Sequence, residues 1–188
     1  MNLDTYLLVV SGPSGAGKDT IVKKICEKYP EVEISVSATT RTPREQEFHG
    51  KDYYFLTQEE FEQKIEAGEM LEYVQYCGNY YGTLKSEVDR RLSQQQKMIL
   101  NIEVIGAKNM KKQYPGALMV FIKPPNLEEL ARRLRARGTE TEEAILKRMT
   151  RAKEELQYEN QYDCVVINDC LDECVEKICE LWQKKINA

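Results

Sequence analysis

Residues 9–20 read Val9-Val10-Ser11-Gly12-Pro13-Ser14-Gly15-Ala16-Gly17-Lys18-Asp19-Thr20, between an apolar run from Tyr6 to Val10 and an amphipathic run from Ile21 to Tyr29. This order predicts a strand, a glycine-rich loop and a helix. The glycines let the loop turn its N–H groups inward around a polyphosphate, and the helix N-terminus points its positive dipole end at the same place. Lys18 adds a mobile cation for the β- and γ-phosphates.

The loop fits the pattern G-x-x-x-x-G-K-[ST] at every position except the last. Asp19 stands where a hydroxyl residue normally reaches Mg²⁺. A glycine-rich turn can also be no more than a tight connection between a strand and a helix, but the preceding strand, the following helix and the lysine favour a P-loop. The ATP-binding residues predicted here are Gly12, Pro13, Ser14, Gly15, Ala16, Gly17, Lys18, Asp19 and Thr20.

Composition limits the alternatives. The chain has 188 residues, which suits one buried core with room for a small inserted subdomain. The net charge of −4 argues against broad, non-specific binding to nucleic acid. No apolar run approaches the roughly 20 residues that span a bilayer, and residues 1–4 lack the features of a signal peptide. We therefore expect a cytoplasmic protein that binds neither nucleic acid nor membrane.

The six cysteines match neither a C-x-x-C redox pair nor a paired zinc-ligand set. We expect them to be small buried hydrophobic residues in the reduced state, although Cys170 and Cys174 lie four apart on a predicted helix, where a metal or disulfide role stays open. His49 is the only histidine, which disfavours a zinc hydrolase and a Ser-His-Asp hydrolase.

Beyond the P-loop helix, residues 31–37 alternate like a strand and run into a loop that carries Arg41 and Arg44. Two guanidinium groups three residues apart suit a second phosphate, because each binds phosphate bidentately. A solvated basic turn is an equally good interpretation of this segment alone.

Residues 38–90 are predicted to form a small excursion of strands and one helix from the main fold. A short aromatic strand follows Gly50, and Thr57 with Glu60 forms a capping box for a helix that ends near Ala67. Residues 70–76 alternate as a strand, and residues 77–82 are predicted to form a turn.

From Leu84 onward the chain alternates between helices and apolar strands, which predicts a parallel sheet covered on both faces. The predicted strands are Met98–Ile102, Leu118–Ile122 and Cys164–Ile167, and the predicted helices run from Leu84 to about Gln96, from Ala107, from Leu127 to about Arg137, and through Trp182. Asn126 and Glu129 resemble the N-cap pair of the helix at Leu127.

The densest positive charge lies at residues 132–138, and Lys147, Arg148, Arg151 and Lys153 follow on a long predicted helix. A solvated helix face or a nucleic-acid patch would also be basic, but no stacking aromatics are interleaved here. We favour a mobile lid that brings arginines to a transferring phosphoryl group, where negative charge spreads over the equatorial oxygens.

Five motifs in this order resemble those of the guanylate kinases, over essentially the whole chain. They are Gly12-Pro13-Ser14-Gly15-Ala16-Gly17-Lys18, Ser35-Val36-Ser37-Ala38-Thr39-Thr40-Arg41-Thr42-Pro43-Arg44, Gly50-Lys51-Asp52-Tyr53, Gly78-Asn79-Tyr80-Tyr81-Gly82-Thr83, and Arg137-Gly138-Thr139-Glu140. The resemblance implies an α/β fold with a parallel P-loop sheet covered by helices on both faces, a small inserted mixed α+β nucleotide-binding subdomain and a helical lid. The implied division is a core of residues 1–37, 84–136 and 160–188, a GMP-binding insertion of 38–83, and a lid of 137–159.

The resemblance also implies roles for single residues. The acceptor phosphate would contact Arg41, Arg44, Tyr53 and Tyr81, and guanine would contact Ser37, Glu72 and Thr83. Glu103 is a further implied GMP-binding residue. The lid residues Arg137 and Arg148 would close on the ATP phosphates, with Asn168 near adenine. The implied catalytic residues are Lys18, Arg41, Arg137 and Arg148.

The reaction implied is transfer of the γ-phosphoryl group of MgATP to GMP, and with it dGMP, by a monomer or a homodimer. No protein side chain is predicted as a required metal ligand. The chain departs from the family pattern at Asp19, at Asn101 and Glu103, where aspartates are typical, and at Ile105, where glutamine is common. A non-catalytic module that binds phosphopeptides and a kinase of another small phosphate acceptor are the alternatives.

Overall fold

The computed structural model describes residues 2–76, 78–107, 110–136 and 141–188. Within these ranges the strands are β1 Leu7–Ser11, β2 Glu33–Ile34, β3 Ala38–Thr39, β4 Tyr54–Phe55, β5 Met70–Tyr76, β6 Asn79–Leu84, β7 Met98–Asn101, β8 Leu118–Lys123 and β9 Cys164–Ile167. The helices are α1 Lys18–Lys28, α2 Gln58–Glu66, α3 Lys85–Ser93, α4 Val104–Ala107, α5 Met110–Gln113, α6 Leu127–Ala136, α7 Glu142–Leu156 and α8 Leu171–Ile186. Two short 3-10 helices lie at Leu3–Tyr6 and Glu159–Gln161.

The larger sheet has the order β2-β7-β1-β8-β9, and all of its described pairings are parallel. Strand β1 is buried along its whole length because both of its faces are covered. Leu8 and Val10 pack with side chains of α1 and α8, whereas Leu7 and Val9 pack with side chains of α3 and α5 on the other face. This confirms the predicted parallel sheet, whose continuous apolar strands reflect burial on both sides.

A second, mixed sheet of order β4-β3-β6-β5 lies between β2 and α3 in the chain. Strand β3 is parallel to β4 and antiparallel to β6, and β5 is antiparallel to β6. Helix α2 packs on this sheet through Phe61, whose ring stacks on Tyr80 with centroids 5.1 Å apart. The capping box of Thr57 and Glu60 is present, so the predicted start of this helix is confirmed.

The two sheets are linked through the buried carboxylate of Glu87 on α3. Its Oε2 accepts a hydrogen bond from the Tyr54 hydroxyl of β4 at 2.9 Å, and its Oε1 accepts one from Arg91 Nε at 2.5 Å. Arg91 also pairs with Glu33 of β2. Tyr54 of the second sheet is thereby connected, through Glu87 and Arg91 of α3, to strand β2 of the larger sheet.

Several sequence-based predictions of single elements were wrong. The turn predicted at 77–82 is largely strand β6, because Tyr80, Tyr81 and Thr83 suit a pleated surface and the tight turn needs only the region of Gly78, where φ is 78°. The strand expected at 31–37 is reduced to Glu33–Ile34, which pairs only with β7.

Two further predictions need correction. The helix expected from Ala107 begins earlier, since α4 starts at Val104; α5 follows from Met110, and residues 108 and 109 lie outside the described residues. Cys174 is the only buried cysteine among those in the described ranges, and Cys170 is exposed because it precedes the first turn of α8. Cys77 lies outside the described residues.

Within the described residues, no helix has the length and apolarity needed to cross a membrane.

Candidate active site

The P-loop lies between β1 and α1 with its glycines in the left-handed region. Gly12 has φ 143° and Gly17 has φ 94°. A Cβ atom on Gly12 would lie 2.0 Å from the carbonyl oxygen of Ile122 in β8, and a Cβ on Gly17 would lie 2.2 Å from Asn168 Nδ2. Both positions therefore require glycine, because a Cβ atom would clash with β8 or Asn168 and because other residues rarely adopt these positive φ angles.

Lys18, at the first turn of α1, is buried against the loop that it follows. Its Nζ donates to the carbonyl oxygens of Gly12 at 2.6 Å and Pro13 at 3.3 Å. Burial lowers the pKa of Lys18, whereas the nearby charges of Glu103 and Asp19 act in the opposite direction. The ammonium group is held inside the P-loop, where a β- or γ-phosphate would approach it.

Asn168, which follows β9, forms a hydrogen bond with the P-loop backbone. Its Nδ2 donates to the carbonyl oxygen of Ala16 at 2.8 Å, and its own main-chain carbonyl accepts a hydrogen bond from Arg133 Nη2 at 2.8 Å. The side chain is buried. Its predicted proximity to adenine stays a prediction, and the structure adds a contact with the loop that sequence reasoning did not anticipate.

Asp19 and Asn101 are neighbours across the end of the sheet. Asn101 Nδ2 donates to Asp19 Oδ1 at 2.7 Å. These are two of the positions at which the chain departs from the pattern it resembles, and sequence reasoning treated them separately. Strands β1 and β7 are adjacent and parallel, so their carboxyl ends bring the two positions together. A predicted pairing of these two strands could have shown from the sequence that Asp19 and Asn101 lie close together.

The predicted base-binding pair is formed by paired strands β5 and β6. Thr83 Oγ1 donates to Glu72 Oε1 at 2.7 Å. The other carboxylate oxygen lies beside Gly106 of α4, where an added Cβ would come within 2.9 Å of it. Burial raises the pKa of Glu72, and the negative charge of Glu103 adds to that rise. No motif in the sequence singles out Gly106.

Three of the four residues predicted to bind the acceptor phosphate lie together. The Arg41 guanidinium carbon lies 5.5 Å from the centroid of the Tyr53 ring, and that ring lies 6.3 Å from the Tyr81 ring. Arg44, the fourth, has an exposed side chain in the same loop. Ser37, half-buried just before β3, accepts a hydrogen bond at its carbonyl from the Tyr54 N–H at 2.8 Å.

Helix α7 brings basic side chains to the P-loop and the sheet edge. Arg148 Nη1 donates to Ser14 Oγ at 2.9 Å, and Arg151 Nη2 donates to Glu103 Oε2 at 3.1 Å. The helix packs against α6 through Ile145 and Ala152. Arg137, a predicted lid residue, lies outside the described residues, as does the rest of the fifth motif.

These parts converge on a cleft of about 600 Å³ whose lining comes from the P-loop, the second sheet, the end of β7 and α7: Ser14, Val74, Tyr81, Glu103, Lys147, Arg148 and Arg151. A neighbouring cavity of about 400 Å³ contains Glu72 and Gly106. A phosphate-binding loop on one side, and a sheet with aromatic residues and an arginine-bearing loop on the other, define a P-loop kinase with a second site for a phosphorylated acceptor.

Comparison with known proteins agrees with this class. The family model described as guanylate kinase matches residues 4–185. The chain is 48% identical to a guanylate kinase of Prochlorococcus marinus over 88% of this chain and 90% of that protein. It is 50% identical to a guanylate kinase of Gloeobacter violaceus over 92% of this chain and 84% of that protein.

Solved structures give the same result. A crystal structure of guanylate kinase from Anaplasma phagocytophilum matches with a TM-score of 0.70 at 29% identity, covering 95% of this chain and 85% of that one. A shikimate kinase from Bacteroides thetaiotaomicron matches at a TM-score of 0.50 and 15% identity over 97% of this chain and 98% of that one, a likeness of fold alone. The chain belongs to the guanylate kinase family.

Proposed function

We propose that this protein transfers the γ-phosphoryl group of ATP to GMP, which yields GDP and ADP. Family membership over nearly the whole chain supports this reaction. The observation that carries it is the half-buried Glu72 carboxylate, which accepts a hydrogen bond from Thr83 at 2.7 Å and lines the cavity next to the P-loop cleft.

Glu72 suits guanine for a chemical reason. The guanine edge presents the N1–H and N2–H₂ donors together, so a carboxylate accepts both. Adenine would present an acceptor there and leave a buried carboxylate oxygen unpaired, which costs about 1–3 kcal/mol or more. A site built to receive donors therefore rejects bases that lack them.

The proposed division of labour follows the three parts of the chain. Residues 1–37, 84–136 and 160–188 form the core that binds ATP, residues 38–83 bind GMP, and residues 137–159 act as the lid. Ser37, Glu72, Thr83 and Glu103 would contact the guanosine part, with dGMP as a further acceptor. The acceptor phosphate would lie among Arg41, Arg44, Tyr53 and Tyr81.

Catalysis would come from holding the two phosphates in line while positive groups neutralise the charge that spreads over the transferring group. Lys18, Arg41, Arg137 and Arg148 are the proposed positive groups. No covalent intermediate with the protein is needed, since the acceptor oxygen attacks the γ-phosphorus directly and ADP leaves. Lid closure would exclude water that otherwise hydrolyses ATP.

Mg²⁺ would accompany ATP. The described residues include no group of three or more His, Cys, Asp or Glu side chains that would hold a metal ion by themselves. The Asp19 carboxylate and the Asn101 amide oxygen at the end of the P-loop are nevertheless oxygen donors of the kind that Mg²⁺ prefers, so the residues present fit an ion held mainly by substrate phosphates. Bound there, Mg²⁺ would supply charge neutralisation between the β- and γ-phosphates.

A coupled assay of ADP release tests the proposal across GMP, dGMP, AMP, CMP and UMP. We expect activity with GMP and dGMP and little with the other acceptors. Equal rates with AMP or UMP would contradict the role of Glu72, and no ADP release with GMP would contradict the reaction itself.

A further inference from the structure

The loop between β3 and β4 contains a carboxylate that neither the motifs nor the proposed roles include. Glu47 accepts hydrogen bonds from Arg41 Nη2 at both carboxylate oxygens, at 2.8 and 2.9 Å. Its Oε2 also accepts a hydrogen bond from the main-chain N–H of Arg44 at 2.8 Å. One side chain thus contacts both arginines that are proposed to bind the acceptor phosphate.

The position of Glu47 is fixed by the backbone of its own loop. Gln46 has φ 75°, in the left-handed region that few non-glycine residues adopt. This reverses the chain, so that the Glu47 N–H donates to the carbonyl oxygen of Arg44 at 3.1 Å while the side chain returns to the Arg44 N–H. A strained backbone conformation of this kind persists only where surrounding contacts hold it in place, and such conformations are concentrated at functional sites.

Arg41 is held on several sides. Its Nη1 donates to the Thr42 carbonyl at 2.8 Å, and its guanidinium carbon lies 5.5 Å from the Tyr53 ring centroid and 5.9 Å from that of Phe55. The side chains of Arg41 and Glu47 are only 18% and 19% exposed, unlike an ordinary surface ion pair. Long arginine side chains lose much rotamer freedom when they bind a ligand, so a guanidinium that is already held loses less.

Two roles are compatible with a carboxylate at this place. It either competes with the incoming phosphate for Arg41, or it orients the guanidinium so that its other donors face the phosphate. A guanidinium has five N–H donors, so a carboxylate on one side does not use them all. The anchoring of Glu47 by a main-chain N–H favours orientation, since a competitor would have to break that hydrogen bond on each binding event.

We propose that Glu47 is a positioning residue for the acceptor phosphate, which acts by fixing the Arg41 guanidinium and the turn at Arg44. This inference deepens the proposed function and rests on it. Hydrogen bonding from the Arg44 N–H keeps the pKa of Glu47 below its usual range, so the carboxylate stays charged when it is needed.

The test compares Glu47→Ala with Glu45→Ala, a control that removes the same charge from the same loop at an exposed side chain. Binding of GMP and of guanosine is measured by calorimetry, since guanosine lacks the phosphate. We expect Glu47→Ala to weaken GMP about tenfold, or ~1.4 kcal/mol, and to leave guanosine binding unchanged. Glu45→Ala should change neither, and Glu47→Gln, which keeps one acceptor oxygen, should lie between the wild type and Glu47→Ala.

Kinetics give a second measurement. In Glu47→Ala the KM for GMP should rise about tenfold while the KM for ATP stays within twofold, and the melting temperature should match that of Glu45→Ala. Tighter GMP binding in Glu47→Ala would show that the carboxylate competes with phosphate, and an unchanged ratio of GMP to guanosine affinity would show that it does not serve the phosphate. Either result overturns the inference while the wild type still phosphorylates GMP; a wild type that does not phosphorylate GMP overturns the proposed function and the inference together.

Discussion

Glu72, the proposed guanine ligand, is expected to reduce the stability of the folded protein. Its burial raises its pKa, so the native protein binds that proton more tightly than the unfolded chain does. Stability is therefore greatest below the unfolded pKa and falls as pH rises through the folded pKa. A residue proposed to recognise guanine is in this way a local source of instability.

We predict that Glu72→Gln raises the melting temperature at pH 7 by about 2–4 °C, which corresponds to roughly 1 kcal/mol. Near pH 4 the gain should vanish, since the wild-type carboxyl is then largely neutral in both states. The same variant should raise the KM for GMP about ten- to hundredfold and leave the KM for ATP unchanged, because a charged acceptor is lost. Calorimetric scans at both pH values check the first part, and equal melting temperatures at pH 7 would contradict it.

Asp19 lies where the P-loop pattern has a hydroxyl residue, and its carboxylate would bring negative charge toward a bound β-phosphate. Because Mg²⁺ keeps several waters and is held largely by phosphates, we expect Asp19 to contact the ion through water. The hydrogen bond from Asn101 at 2.7 Å holds one carboxylate oxygen toward the sheet and so agrees with an outer role.

We therefore predict that Asp19→Ser keeps most activity and that Asp19→Ala loses less than about tenfold, or ~1.4 kcal/mol of transition-state stabilisation. Electron paramagnetic resonance of Mn²⁺ with ADP on the protein provides a readout apart from activity. Its spectrum should be alike in wild type and Asp19→Asn, which preserves shape without charge. A much larger loss in Asp19→Ala that Mn²⁺ rescues would show direct ligation.

Helix α4 contributes a glycine, with no side chain, beside the proposed guanine site. Gly106 leaves room for Glu72, since an added Cβ would lie 2.9 Å from Oε2, 3.1 Å from Cβ and 3.2 Å from Cγ of that side chain. We predict that Gly106→Ala displaces Glu72 and raises the KM for GMP about fivefold, or ~1 kcal/mol, with the KM for ATP unchanged. In a Glu72→Ala background the second substitution should add nothing, because the crowded side chain is gone. Additive effects of the two substitutions would contradict this account.

Helix α7 contacts both the P-loop and the sheet edge through Arg148 and Arg151. Because these contacts involve exposed or partly exposed groups, they are expected to exchange with open forms until substrates add further anions. We predict that amide hydrogen exchange in Glu142–Leu156 slows when an analogue joining adenosine and guanosine through a polyphosphate binds. Helix α8 is the internal control and should be unaffected. Equal exchange in α7 with and without saturating analogue would exclude a lid.

The hydrogen bond between Tyr54 and Glu87 links the two sheets and so bears on the stability of the whole molecule. Tyr54 donates to the buried Glu87 carboxylate at 2.9 Å, and hydrogen bonds to charged groups contribute about 1.5–3 kcal/mol. We predict that Tyr54→Phe lowers the melting temperature by about 3–12 °C while unfolding stays a single transition. Tyr73→Phe, on the exposed face of β5, is the control and should have little effect. Two separate transitions in differential scanning calorimetry would show that the second sheet unfolds independently.

The sequence by itself determined much of this protein. The P-loop, the parallel sheet and the capping box at Thr57 could be predicted because each depends on residues close together in the chain, whose spacing expresses backbone geometry directly. The order of five motifs likewise identified the family, since their residue types follow from the phosphate and base chemistry that they serve.

Only the tertiary structure decided the rest, because the deciding contacts join residues that are far apart in sequence or depend on backbone conformation. Strand β6 formed where a turn was expected because β5 supplies a pairing partner for Tyr80 and Tyr81. The hydrogen bond between Asn101 and Asp19 and the close approach of Glu72 to Gly106 depend on how distant elements pack together. No local sequence pattern encodes that packing. Glu47 required the left-handed turn at Gln46, a conformation that side-chain spacing alone does not reveal.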